Sequence, residues 1–185
     1  MKIYTKKGDD GSTGLLFGGR VSKDSVQIEL NGAVDETQAA IGLARAFSSD
    51  GEVGQLCIRL ETDLWVLMAE VATLPENRNK LVPEKTLVVP SMIGWLENEI
   101  DRISTLFVMP REFVLPGGNA VSAYLDWARV TARRAERASA VYVQQIPETE
   151  VGRYLNRLSD LLWVMARWQD GEILKTKEVF RKEHD

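Results

Sequence analysis

The stretch that most constrains the fold runs from Phe113 to Arg137 and reads FVLPGGNAVSAYLDWARVTARRAER. A short extended run, Phe113-Val114-Leu115, is broken by Pro116-Gly117-Gly118. Asn119 then offers a side-chain oxygen able to cap a helix. The spacing predicts one long helix over 119–145. On it Val121, Tyr124, Leu125, Ala128, Ala132 and Ala135 make an apolar, small-residue face that a second helix can approach closely. Arg129, Arg133 and Arg137 recur every four residues on another face, with Glu136 beside them. Such a row is usually a solvated face. Burying it costs free energy unless anions meet it, so the helix reads as half core and half candidate anion site.

The rest of the chain repeats the helical period. Val26, Leu30, Ala33, Val34, Ile41 and Ala44 predict a helix over 25–47, capped by Ser22 or Asp24. Asp35-Glu36 lie just off its apolar stripe, as a solvent-facing pair or as carboxylates orienting an arginine of another element. A second helix is expected over 52–73, then a solvated, mobile linker over 75–89. Pro90 suits the first turn of a third helix, over 90–105. Pro147 is expected to open a fifth, reaching Trp168, with Val151, Leu155, Leu158, Leu162 and Met165 inward. Asn156 and Asp160 share its polar face, and Asn156 could bond a ligand or, more commonly, a neighbouring helix. Gly171 ends it. Without convincing β alternation, these patterns predict an all-α, up-down bundle of five helices in one domain. Its parts are a Gly-rich arm (1–24), the bundle (25–170) and a charged tail (171–185).

The arm holds five of the chain's fourteen glycines between Gly8 and Gly19, with lysines, threonines and aspartates in the gaps. Glycines let backbone N–H groups approach phosphate oxygens. The segment is not a Walker A loop, and a flexible arm turning at Asp10-Gly11 would have the same composition. A net charge of −4 argues against a general nucleic-acid role, and no apolar run approaches the ~20 residues that cross a bilayer. The start of the sequence has no apolar signal region. One cysteine, Cys57, sits on an apolar stripe, fitting a reducing, cytoplasmic setting. The one histidine, His184, is near the C-terminus. A His triad, a His-rich zinc site and the Glu-x-x-His pairs of ferritin-like metal bundles are therefore excluded.

Several segments together resemble PduO-type ATP:cob(I)alamin adenosyltransferases. They are Thr5 to Gly14, Arg20 to Asp24, Gly32 to Glu36, Phe113 to Gly118, Ala132 to Arg137 and Tyr154 to Leu162. The resemblance runs from Ile3 to about Arg167 in the family's order and spacing. It departs at Lys7, Thr37-Gln38 and Trp163, where the family usually has Thr, Leu-Asn and Phe; none of these removes a charged group. It implies a five-helix, homotrimeric bundle binding ATP between subunits, with the arm folded over the triphosphate. On this resemblance Thr5, Lys6, Lys7, Gly8, Asp9, Thr13, Gly14 and Lys23 hold phosphates. Arg133, Arg134, Glu136 and Arg137 line the nucleotide site, with Asn156 nearby. Asp35 and Arg129 form an intersubunit ion pair, and Phe113 sits by the lower face of the corrin.

The implied reaction is attack of reduced cobalt on C5′ of ATP, giving adenosylcobalamin and triphosphate. Cob(I)alamin is already a strong nucleophile, so positioning and charge neutralisation suffice. Mg²⁺ is expected on the triphosphate. A reductase and an adenosylcobalamin-dependent enzyme are the partners such a role calls for. Two rival readings keep the bundle: a carrier that binds ATP and corrinoid without reaction, and a purely structural trimer.

Overall fold

The helical periods fold as helices because each offers one apolar stripe to a shared core. The computed structural model describes residues 3–4, 6–49, 51–171 and 174–176. Its elements are β1 (Ser12–Gly14), β2 (Arg20–Ser22), α1 (Val26–Phe47), α2 (Glu52–Val71), a 3₁₀ turn (Pro75–Lys80), α3 (Pro90–Ser104), α4 (Ala120–Gln145) and α5 (Val151–Asp170). Helix α1 packs against α2 and α4, while α5 packs against α4 and α3. Leu30, Ile41, Leu60, Leu64, Leu96, Leu125, Leu155 and Leu162 are fully buried in the common core. So are Ala128, Ala132 and Ala135 of α4. Two contacts show that α1 and α4 run antiparallel. The rings of Phe47 and Tyr124 lie 4.9 Å apart, and Glu36 pairs with Arg134 further along.

Asn119 caps α4 as its sequence suggests. Its side chain accepts from the Ser122 N–H at 3.0 Å, and Ser122 Oγ accepts from the Asn119 N–H at 3.1 Å. Gly171 closes α5 with a φ of 72°, a conformation that suits glycine. Four local expectations need correction. Helix α1 begins after Ser25, not from a Ser22 or Asp24 cap, and Ser25 makes no side-chain cap bond. Pro147 falls in the turn between α4 and α5, and α5 opens only at Val151. The arm holds an antiparallel hairpin, with Ser12 opposite Ser22 and Gly14 opposite Arg20. Its strands are too short to show alternation among so many glycines. The hairpin is tied to the end of α2, where the Leu16 N–H donates to the Ala72 carbonyl at 2.8 Å. Gly19 (φ 88°) is required there, since a Cβ would lie 2.4 Å from Leu74 Cδ1.

The fourth correction concerns 75–89, which is pinned to the core rather than solvated. The carboxylate of Glu70, fully buried at the end of α2, is the anchor. Its Oε1 accepts from Arg78 Nη2 at 2.9 Å and Thr149 Oγ1 at 2.6 Å, and its Oε2 accepts from the Val88 N–H at 2.8 Å. One carboxylate thus joins the 3₁₀ turn, the strap before α3 and the turn before α5. Glu70→Ala strands the buried Thr149 hydroxyl and Val88 amide and leaves the partly buried Arg78 guanidinium with only Glu148 and Tyr142. It is expected to lower the unfolding free energy by about 3–5 kcal/mol, read as a fall in urea midpoint at unchanged slope. A loss below about 1 kcal/mol would show that water replaces the carboxylate.

Candidate functional site

Arg129, the first of the α4 arginines, faces α5, and two clefts open along the groove between these helices. The larger, about 810 Å³, is walled by Phe113, Pro116 and Trp163 and floored by Asp126, Arg129 and Arg167. The second, about 490 Å³, is lined by Glu136, Ala140, Gln144, Arg153 and Asn156, among others. Arg129 and Glu136 are seven residues apart, as are Asn156 and Trp163. Seven residues are two turns, so the clefts lie on nearly one face, about 10 Å apart along the helices. Arg133 is between them in register. It is exposed, as is Arg137, and neither makes an ion pair among the described residues.

Each cleft has its own polar framework. In the smaller one Asn156 Nδ2 donates to Glu136 Oε1 at 2.8 Å, and Arg157 Nη1 donates to Asn156 Oδ1 at 2.7 Å. Asn156 thus makes the helix–helix bond that is the commoner reading of such a residue. It also fixes the orientation of Glu136. Under the larger cleft, Arg129 Nε donates to Asp126 Oδ1 at 2.9 Å, and Arg167 Nη2 donates to Asp126 Oδ2 at 2.5 Å. Arg167 Nε lies 2.7 Å from Asp170 Oδ2. The Arg167 guanidinium also sits 5.8 Å over the Trp163 ring. Asp126–Arg129 and Arg167–Asp170 are local i,i+3 pairs, but the Arg167–Asp126 bond that joins them crosses between helices and carries no signal in the sequence pattern. Phe113 stands at the rim with 91% of its surface exposed. The backbone beside it is fixed, since the Phe113 carbonyl accepts from the Thr176 N–H at 3.0 Å.

The arm forms a second polar cluster, away from both clefts. Lys6 takes a positive φ of 60°, and its ammonium lies 6.0 Å from the Tyr4 ring. The Lys7 carbonyl accepts from Arg20 Nη2 at 2.5 Å, and Ser12 Oγ accepts from the same nitrogen at 2.5 Å. Gly8 is pressed between the Ser12 carbonyl and the Lys23 ammonium; a Cβ there would lie 3.2 and 3.3 Å from them. Ser12 also donates to Asp10 through its N–H and hydroxyl, which holds the Asp10 carboxyl below its ordinary range. Asp9 is exposed, Thr13 and Gly14 lie in β1, and Thr5 falls outside the described residues. Lys6, Gly8 and Lys23 are thus brought to one turn, which Arg20 staples. None of the arm residues lines either cleft. Asp35 is exposed on α1, and its neighbour Glu36 is taken by Arg134. Within one chain, Arg129 is held by Asp126, not by Asp35.

The thiol and the buried phenols are removed from the clefts. Cys57 is fully buried, and burial pushes its thiol up to about 12. Tyr142 and Tyr154 are buried and raised by desolvation. The larger cleft sets the Arg129 guanidinium beside an apolar wall, and the carboxylates Asp126 and Glu136 that line the clefts are each hydrogen-bonded, to Arg129 and Arg167 and to Asn156 respectively.

A family profile described as Cobalamin adenosyltransferase matches residues 3–169. A corrinoid adenosyltransferase of Citrobacter freundii is 36% identical over 170 residues, covering 91% of this chain and 95% of that protein. One from Bacillus subtilis (strain 168) is 37% identical over 174 residues, covering 90% and 86%. Among solved structures, a phenylalanine-to-alanine variant of a PduO-type ATP:corrinoid adenosyltransferase from Lactobacillus reuteri, complexed with cobalamin and ATP, superposes with a TM-score of 0.81. It is 25% identical and covers 95% of this chain and 99% of that one.

The burial of Cys57 gives a direct check on this site. A disulfide-exchange reagent should leave the native thiol unmodified at neutral pH and titrate one thiol per chain after denaturation. Fast reaction of the native protein would mean that the α2 stripe opens to solvent.

Proposed function

The chain belongs to the cobalamin adenosyltransferase family, and on that premise we propose that it transfers the 5′-deoxyadenosyl group of ATP to the cobalt of cob(I)alamin. The observation that carries the proposal is the pair of clefts on one α4–α5 face. The smaller is lined by the charged and amide side chains of Glu136, Gln144, Arg153 and Asn156, suited to a nucleotide; the larger has the Phe113, Pro116 and Trp163 wall suited to a corrin ring. Arg133 stands between them, where a triphosphate would leave.

The electron pair on cobalt attacks C5′, the Co–C5′ bond forms, and the C5′–O bond breaks. Triphosphate leaves with the bonding pair, and no proton moves. The protein's task is to align two ligands and to neutralise the leaving group. Arg133 and Arg137 do so from α4, since a guanidinium stays charged and engages two oxygens at once. Lys6, Lys7 and Lys23 do so from the arm, with Gly8 and Gly14 admitting the phosphates to the backbone. Thr5 and Thr13 add hydroxyl donors. Glu136, Asn156 and Arg134 shape the nucleoside end. Mg²⁺ arrives with the triphosphate as part of the substrate. Among the described residues no group of three His, Cys, Asp or Glu could hold a metal, and Mg²⁺ needs few protein ligands when phosphate and water supply the rest.

The arm and the clefts lie apart in one chain, so the proposed site is completed between subunits of a homotrimer. The arm and Asp35 of one subunit close on the α4–α5 face of the next, where Asp35 reaches Arg129. Phe113 covers the lower axial face of the corrin, which favours loss of the lower ligand and eases reduction of the cobalt(II) precursor. We place this reaction in the cytoplasm, supplied by a reductase and drained by an adenosylcobalamin-dependent enzyme. No described helix is long and apolar enough to cross a membrane.

The test is an anaerobic assay with ATP, Mg²⁺ and chemically reduced cobalamin, following the cobalamin spectrum and free triphosphate together. One triphosphate per light-sensitive product supports transfer. Binding of both ligands without product would support the carrier instead. In a parallel assay that starts from cob(II)alamin and a reductant, Phe113→Ala, at an exposed position where substitutions shift stability by less than about 0.5 kcal/mol, is expected to cut turnover about tenfold or more. Its affinity for ATP should be unchanged. Equal turnover would remove the axial role of Phe113.

A further inference from the structure

We propose that Asp126 is a positioning residue for Arg129, holding that guanidinium at its Nε edge so that its two Nη groups meet the reacting ligands or the carboxylate that faces them. The inference rests on the adenosyl-transfer reading. An aspartate in the middle of a helix has weak helix propensity, and a buried carboxylate is costly unless fully paired. Asp126 is nevertheless buried, with both oxygens engaged by arginines of different helices. Beyond it, Arg167 reaches Asp170. The four groups alternate in sign and sum to zero, so the cluster needs no further ion to balance it.

Exposure along this row sets its direction. The side chains of Asp126, Arg167 and Asp170 are 5%, 1% and 2% exposed, whereas that of Arg129 is 25% exposed. Only Arg129 opens into the larger cleft to a comparable extent. A planar guanidinium has two hydrogen-bonding edges. With Asp126 on the Nε side, the Nη edge remains for a carboxylate or a phosphate in a two-point contact. A free arginine would have to give up its rotamer freedom at each binding event. This one is oriented beforehand by a carboxylate that Arg167 in turn keeps in place.

A structural alternative uses the same contacts: Arg129 could be present only to balance the charge of Asp126. Asp126→Asn keeps the shape and removes the charge-assisted bond, which separates the two. In the full-length enzyme, turnover at saturating ATP and cob(I)alamin should fall about 10- to 100-fold. The KM for ATP should stay within about twofold. In an Arg129→Ala background the same change should cost nothing more. An arginine side-chain ¹⁵N spectrum gives a readout independent of turnover. The slowly exchanging Nε–H of Arg129, assigned by its absence in Arg129→Lys, should be lost in Asp126→Asn while that of Arg167 persists. If Asp126→Asn does not accumulate as folded protein, Asp126→Glu keeps the charge balance, displaces the carboxylate and serves in the same comparisons. Multiplicative losses in the double variant, or an unchanged Arg129 signal, would overturn the positioning role. Wild-type protein that forms no adenosylated product would overturn the underlying reading. Wild-type turnover with an unaffected Asp126→Asn would overturn the role of Asp126 alone.

Discussion

Helix α4 has to bury one side against α1 and another against α5 while keeping its arginines out of the core. Small residues settle the first demand. Ala128, Ala132 and Ala135 are fully buried, and side chains of that size let a neighbouring backbone come close. The arginines settle the second by lying off the apolar face of α4, Arg129 on the side of α5 and Arg134 on the side of α1. Each is either paired, like Arg134 with Glu36 and Arg129 with Asp126, or exposed, like Arg133 and Arg137. The clefts are what remains of the seam where polar residues prevent it from closing. The site is therefore a consequence of how one helix resolves core and charge on the same cylinder.

Much of the bundle was legible because helical periodicity is a local signal. The pattern around Leu30, Val34 and Ile41, or around Leu155, Leu158 and Leu162, needs no knowledge of partners to mark an inner face. The Asn119 cap is local too, with its reciprocal bond three residues on. What was misread depended on distance along the chain. Nothing near Glu70 announces Thr149, 79 residues away, so the strap after α2 looked solvated. Nothing near Asp126 announces Arg167, 41 residues away, so the floor of the larger cleft went unseen. Pro147 is a good helix opener in isolation, but it belongs to the turn that delivers Thr149 to Glu70. The β1–β2 hairpin was hidden by its glycines, which carry no side-chain alternation.

The candidate site residues divide along the same line. The arginine row and Asn156 could be placed on a face from spacing alone; the structure puts Arg129 and Asn156 in the α4–α5 groove and leaves Arg133 and Arg137 exposed outside both clefts. The arm residues could be grouped only by composition and resemblance. Their clustering around Gly8 and Lys23 comes from a staple, Arg20, which bonds Lys7 and Ser12 from the opposite strand.

The spatial separation of arm and clefts has a chemical consequence. A nucleophile as strong as cob(I)alamin would react with any accessible electrophile or oxidant, so the hazard is reaction at the wrong time rather than a barrier too high to cross. If the proposed site forms between subunits, a chain that carries its arm at the end of α2 and its clefts along α4 and α5 presents incomplete halves until assembled. On the proposed reading, charge neutralisation of the leaving triphosphate would draw on both halves, the exposed arginines on one side and the lysine turn on the other. The corrin and C5′ would then meet only where the triphosphate is already gripped, so alignment and leaving-group stabilisation arrive together. A protein whose one thiol is buried and whose cleft carboxylates Asp126 and Glu136 are tied to neighbouring side chains is suited to that task. It contributes geometry and positive charge, and leaves bond-making to the cobalt.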